Sequence, residues 1–387
     1  IENPVQADMD GDGHGDACDE DIDGDGVSNE EDAFPTDPSR HEEATVAEVE
    51  VDRTRELMIT DLSVVEDPTR TASGCFPNFD EENPDGVWTF KHLVEAMAGD
   101  QDPTEFVETW LTDWATRTEI NGFEVNPAAS LETLVLTPWR NRSMESGGEA
   151  ILDLDFAPFR LLSIVIRFDL RNESAAGTAG EGRFVFGLLD SDCNPTQAVI
   201  IFEYALPAAN ENAIADWASH WHALGELEGE AYNDALELVT RRFTNLNAMP
   251  DRPNGSAINQ VRTNDVIFTG QWTLREFRLD ADGDLQSVPT HGTPDASFNG
   301  SSADLADTLF EGAPVPADFF AAEAPVSFNW DFGDGVDSNE RHTLAVNTCN
   351  GCHGQETGTS FLHVSNRQMG QETQLSGFLI GTEVADP

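Results

Sequence analysis

The chain has 387 residues, with 73 Asp and Glu against 20 Lys and Arg, for a formal charge of -53. Such a surface repels nucleic acid and anionic lipid, so neither is expected as a partner. Hydrophobic residues make up 39% of the chain, enough for a buried core. The longest aliphatic run, Leu161 to Ile166, is far too short to span a bilayer. Nothing at the N-terminus reads as a signal peptide. The first residue is Ile1 rather than Met, so a processed chain or a fragment is expected.

The first forty residues carry two acidic blocks, DMDGDGHGDACD at 8–19 and DIDGDGVSNEED at 21–32. Numbered as twelve-residue loops, each places a carboxylate at positions 1, 3 and 5 and a glycine at 6, and the second block repeats the first at a shift of thirteen residues. Alternate carboxylates in a tight turn converge on one point, and glycine lets the backbone reverse there. A hard cation that takes roughly 6 to 8 oxygens at about 2.4 Å fits such a cage, whereas magnesium keeps more water. No amphipathic helix flanks either block, so these are not helix–loop–helix hands.

Residues 3–38, NPVQADMDGDGHGDACDEDIDGDGVSNEEDAFPTDP, resemble thrombospondin type 3 repeats. In that family the chain wraps around a row of calcium ions with almost no apolar core. The resemblance implies calcium ligands at Asp8, Asp10, Asp12, Asp16, Asp19, Asp21, Asp23, Asp25, Asn29 and Asp32. It also implies a partner for Cys18 in a cysteine just before the NPVQ stretch, upstream of Ile1. Bacteria use such repeats as stiff, calcium-dependent spacers between surface domains.

After Pro38 the composition changes, and a boundary is expected near residue 41. Residues 87–98 and 103–116 read as helices. The second has Asp102 as cap, Pro103 in its first turn, and a buried stripe of Phe106, Trp110 and Trp114. Strands are expected at 161–170, 183–189 and 198–206, helices at 212–224 and 230–245, and strands again at 265–279 and 284–288. The DADGD turn at 280–284 repeats the alternating-carboxylate theme but lacks the glycine at position 6 and a usable ligand at position 9, so a hairpin turn is expected, with a calcium site as the alternative. His220 and His222 stand two apart in a helix and face different ways. That segment is read as a core helix through Trp217, Trp221 and Leu224.

The five cysteines stand at 18, 75, 193, 349 and 352. In the extracellular setting that calcium loops suggest, cysteines pair, which makes Cys75 and Cys193 candidates for a bridge. Cys349, Cys352 and His353 form CxxCH, which looks like the c-type haem attachment sequence, with Met369, His363 or His342 as second axial ligand. The 34 residues after His353 are few for a cytochrome domain. A small disulfide loop and a zinc site made by the two thiols and two histidines stand as alternatives. Trp330 to Gly335, WDFGDG, with His342 and Thr343 downstream, resembles the signature of polycystic-kidney-disease domains.

The expected architecture is α+β in three parts. They are a calcium-wrapped irregular repeat at 1–40, a central β-sandwich-like module with helices at 41–290, and a small irregular segment at 291–387. No catalytic constellation is legible, so an enzyme is not expected. The function that follows is a calcium-stabilised, secreted bacterial surface or matrix protein, structural or adhesive, meeting other matrix components or assembling with itself. The alternative is an extracellular haem c protein for electron transfer.

Overall fold

The computed structural model describes residues 19–22, 24, 26–29, 56–75, 82–120, 123–170, 178–208, 211–270, 272–288, 323–324, 353, 357, 359 and 362–380. The chain divides into two compact units, Ile1–Glu50 and Val51–Pro387. In chain order the second unit begins with β1 (Glu56–Ile59), α1 (Leu62–Val65), α2 (Phe90–Ala98) and α3 (Pro103–Trp114). A short ribbon of β2 (Thr118–Ile120) and β3 (Phe123–Val125) follows, then α4 (Thr137–Glu145). The main strands are β4 (Phe159–Arg167), β5 (Thr178–Leu189) and β6 (Pro195–Pro207), followed by α5 (Glu211–Leu224) and α6 (Glu230–Thr244). Last come β7 (Ile258–Asp265), β8 (Trp272–Leu279), β9 (Leu285–Val288) and β10 (Glu323–Ala324). One antiparallel sheet runs β1-β4-β5-β6-β7-β8-β10, and β9 also pairs with β8.

The helices form where the sequence supplies caps and an apolar stripe. Thr89 accepts from the His92 amide to start α2, which ends at Gly99 with φ 64°. Asp102 accepts from the Thr104 and Glu105 amides to start α3, with Pro103 in its first turn. Trp110 and Trp114 of α3 lie 5.5 Å apart between ring centres and both meet Phe277 of β8. Phe243 of α6 packs on Phe184, Tyr204 and Trp217. It comes this close because β5 has Gly182 beneath it, where a Cβ would stand 2.5 Å from the Phe243 ring.

β4 explains how one strand serves two layers. Phe159, Leu161, Ile164 and Ile166 join the helix-facing core, while Leu162 and Val165 join a second cluster with Val185, Val199, Leu362 and Val364. The register against β5 slips between Leu161 and Ser163, and this bulge moves the inward residues from odd to even positions. Residues 362–380 therefore cover part of the sheet's outer face. Asn366 donates to the Leu188 carbonyl at 2.7 Å, and Gly187 leaves it room, since a Cβ there would lie 2.2 Å from the Asn366 oxygen.

The expected α+β class holds, with six α-helices and a large antiparallel sheet among the described residues. The sheet-on-sheet layer does not: among the described residues the second layer is helical. The apolar stripes of α2, α3, α5 and α6 supply a surface wide enough to cover the sheet. A single strand at 265–279 is also corrected. β7 ends at Asp265, a turn closed by Gly270 N–H to the Val266 carbonyl at 2.8 Å intervenes, and β8 starts at Trp272. The chain can reverse there because Gly270 adopts φ 78°.

Cys75 and Cys193 form a disulfide across 118 residues, joining the segment after α1 to the β5–β6 turn. That turn is tied by Asp190, whose carboxylate accepts from the Asp192 and Asn194 amides. Between α1 and α2, Arg70 is clamped by Asp67 and by Glu230, Asp234 and Glu237 of α6.

Candidate functional site

Of the sequence-predicted calcium ligands, Asp19, Asp21 and Asn29 are described. Asp8, Asp10, Asp12, Asp16, Asp23, Asp25 and Asp32 lie outside the described residues. The three described residues are brought together in one turn. Asp21 accepts from the Gly24 amide at 3.1 Å through one carboxylate oxygen and from the Gly26 amide at 2.9 Å through the other. Gly24 and Gly26 take φ 72° and 94°, which lets their amides point inward. Asn29 closes the turn: its side-chain oxygen accepts from the Ile22 amide at 3.0 Å, and its side-chain nitrogen donates to the Asp19 carbonyl at 2.7 Å.

Asp19 links the two blocks. Its Oδ1 accepts from the Asp21 amide at 2.9 Å, while its Oδ2 is buried with no hydrogen-bond donor among the described residues. A buried carboxylate oxygen without a donor is costly unless a cation meets it. The donor set consists of carboxylate and amide oxygens with no lysine or arginine before Arg40, and it suits a hard divalent ion. These residues fit calcium. What the spacing does not reveal is that Gly24 and Gly26 act through their amides, orienting the Asp21 carboxylate.

At the other end of the chain, Cys349, Cys352 and His342 lie outside the described residues, as does the WDFGDG stretch. His353 and His363 are described, and their rings meet edge to face with centres 4.3 Å apart. His363 also contacts Phe378 at 5.3 Å, and its Nδ1 shares a hydrogen bond with the Ser376 hydroxyl at 2.7 Å. Burial, and then the neighbouring His353, push the His363 ring down to about 2, so it stays neutral. Two rings in direct contact leave no gap for a porphyrin plane. Met369, the other described candidate ligand, is 57% exposed. The arrangement of His353 and His363 does not fit a haem held between them. Sequence offered no signal for Ser376 or Phe378, which reach His363 only because Val364 pairs with Leu375 in a local bridge.

The second unit is laced with ion pairs and polar turns. In the DADGD turn, Asp280 accepts from the Asp282 and Asp284 amides, which makes it the expected hairpin turn. Trp217, Trp221 and Leu224 are buried, while His220 shares a hydrogen bond with the Asp216 carbonyl within its own helix, as the core-helix reading expects. On the outer face, Glu203 is fully buried. Burial alone would raise its pKa, but Arg183 and Arg262 outweigh that and hold it low. Among the described residues no group of three or more His, Cys, Asp or Glu is placed to hold a metal ion. No helix among them is long and apolar enough to cross a membrane.

No curated protein and no solved structure matches the chain. Residues 7–41 match the family model of the thrombospondin type 3 repeat, a calcium-binding motif of extracellular proteins.

Proposed function

We propose that this chain is a calcium-stabilised secreted protein of a bacterial surface or matrix, structural or adhesive rather than catalytic. Calcium bound by the repeat holds residues 1–40 as a stiff spacer. The observation that carries the reading is the pair of carboxylate blocks in register within the matched repeat, with Asp19 Oδ2 buried and without a donor. Calcium binding there supplies folding free energy to a segment that has little apolar surface to bury. The partners are other surface or matrix components, or further copies of the chain. Limited proteolysis with and without a chelator tests the reading. Cleavage confined to residues 1–40 after chelation supports it, and equal protection of that segment in both conditions overturns it.

A second reading concerns the C-terminal motif. The 4.3 Å contact of His353 with His363 favours a closed clip, in which Cys349, Cys352, His353 and His363 hold a structural zinc ion, over a haem. Elemental analysis and a visible spectrum separate the two. One zinc per chain without a Soret band supports the clip, and a Soret band overturns it.

A further inference from the structure

Arg160 is the second residue of β4, on the sheet's outer face, and is 5% exposed. One of its N–H groups donates to the Arg367 carbonyl at 2.7 Å. Among the described residues it pairs with no carboxylate. The other deeply buried arginines are matched: Arg70 by four carboxylates, Arg275 by Asp265 at 2.7 Å, and Arg367 by Glu66. Burial, and then the nearby Arg367 guanidinium, lower Arg160 from the ordinary arginine range. A buried cation without a counter-charge is costly, and an anion from outside the chain relieves that cost.

Arg160 lines a cavity of about 540 Å³, within the range of small-molecule sites. Val65, Ala72, Leu161 and Met369 form apolar walls, and Met369 is largely exposed. Two carboxylates also line it, Glu66 and Glu82. Glu66 is held by Arg367 and by the Gly370 amide at 2.9 Å, and it and Glu82 act on Arg160 only through space, offsetting part of the effect of burial and of Arg367 without a paired contact. Two nearby negative charges work against a phosphate or a dicarboxylate but tolerate a single negative charge. A planar guanidinium fork matches one carboxylate through paired hydrogen bonds.

We propose that this cavity binds a small organic monocarboxylate, its carboxylate on Arg160 and its apolar body against Val65, Ala72 and Leu161. The site is independent of the calcium repeat. Calorimetric titration of the full calcium-loaded chain with hexanoate, hexanol and inorganic phosphate tests it. Hexanoate is expected to bind saturably at one site, and the other two not. Arg160→Met should weaken hexanoate by about tenfold to a hundredfold and leave the melting temperature equal or higher, because it removes an unmatched buried charge. Ala72→Phe keeps Arg160 but fills the cavity, should weaken hexanoate likewise, and decides the matter alone if Arg160→Met fails to fold. Absence of saturable hexanoate binding, unchanged binding in a folded variant, or tighter binding of phosphate overturns the proposal.

Discussion

The two ends of the charge problem are solved differently in the two units. Before Arg40 the chain holds carboxylates and no lysine or arginine, and the described turn satisfies Asp21 with backbone amides while leaving one Asp19 oxygen buried without a donor. In the second unit, carboxylates gather on arginines: Arg70 alone meets Asp67, Glu230, Asp234 and Glu237. The turn in the first unit leaves a carboxylate oxygen for an ion from outside, whereas the buried carboxylates Asp67, Glu203, Asp265 and Glu276 of the second unit meet arginines of its own sequence. The difference teaches that net charge by itself says little about stability; what matters is which charges have partners within the fold.

The sharpest way to break this comparison is to remove calcium. Chelation should abolish the order of residues 1–40 and leave the melting transition of the second unit in place, which calorimetry with and without chelator measures. Loss of both transitions together would erase the distinction. Next in size is the Cys75–Cys193 bridge, which closes a loop of 118 residues in the second unit. Replacing both cysteines with serine should cost about 4–5 kcal/mol, read by urea unfolding in calcium, with the N-terminal segment unaffected.

The internal ion clamp comes third. Burial alone would raise the Asp67 pKa, but the Thr69 hydroxyl and amide, then Arg70 and Asn233, outweigh it and hold the carboxyl below its ordinary value. A carboxylate with a lowered folded-state pKa adds stability above its unfolded value near about 3.9, and that stability is lost as pH falls through the lower folded value. Asp67→Asn should cost about 2–4 kcal/mol at neutral pH and flatten the acid limb of the stability curve, measured by urea midpoints across pH. An unchanged acid limb would remove the clamp from the comparison. Smallest is Val364→Ala under the sheet's outer face, at about 1–2 kcal/mol, read by the same midpoints.

What was legible in the sequence follows from where the physics is local. The calcium blocks are visible because ligand spacing and turn glycines lie within twelve residues of each other. α3 is visible because Asp102, Pro103 and the aromatic stripe all sit in one stretch. β7 was not, since INQVRTND carries Gln260 and Arg262 toward a face where they meet Glu203 and Glu276 of other strands. α4 was hidden by a polar sequence, TPWRNRSME, whose main anchor is the buried Trp139. The cover over the outer face was hidden too, because a segment rich in Gly, Ser and Thr owes its place to Leu362, Val364 and Asn366 meeting a distant strand pair. Arg160 looks ordinary in sequence, and only the absence of a carboxylate paired with it among the described residues distinguishes it from Arg70.

The most direct test is calorimetric titration of the full chain with calcium, beside the double variant Asp19→Asn with Asp21→Asn. Saturable binding of more than one calcium ion by the wild-type chain, weakened in the variant while the second unit keeps its melting temperature, is the result expected. No saturable binding at millimolar calcium, or equal binding by the variant, would contradict the reading of residues 7–41 as a calcium-held spacer.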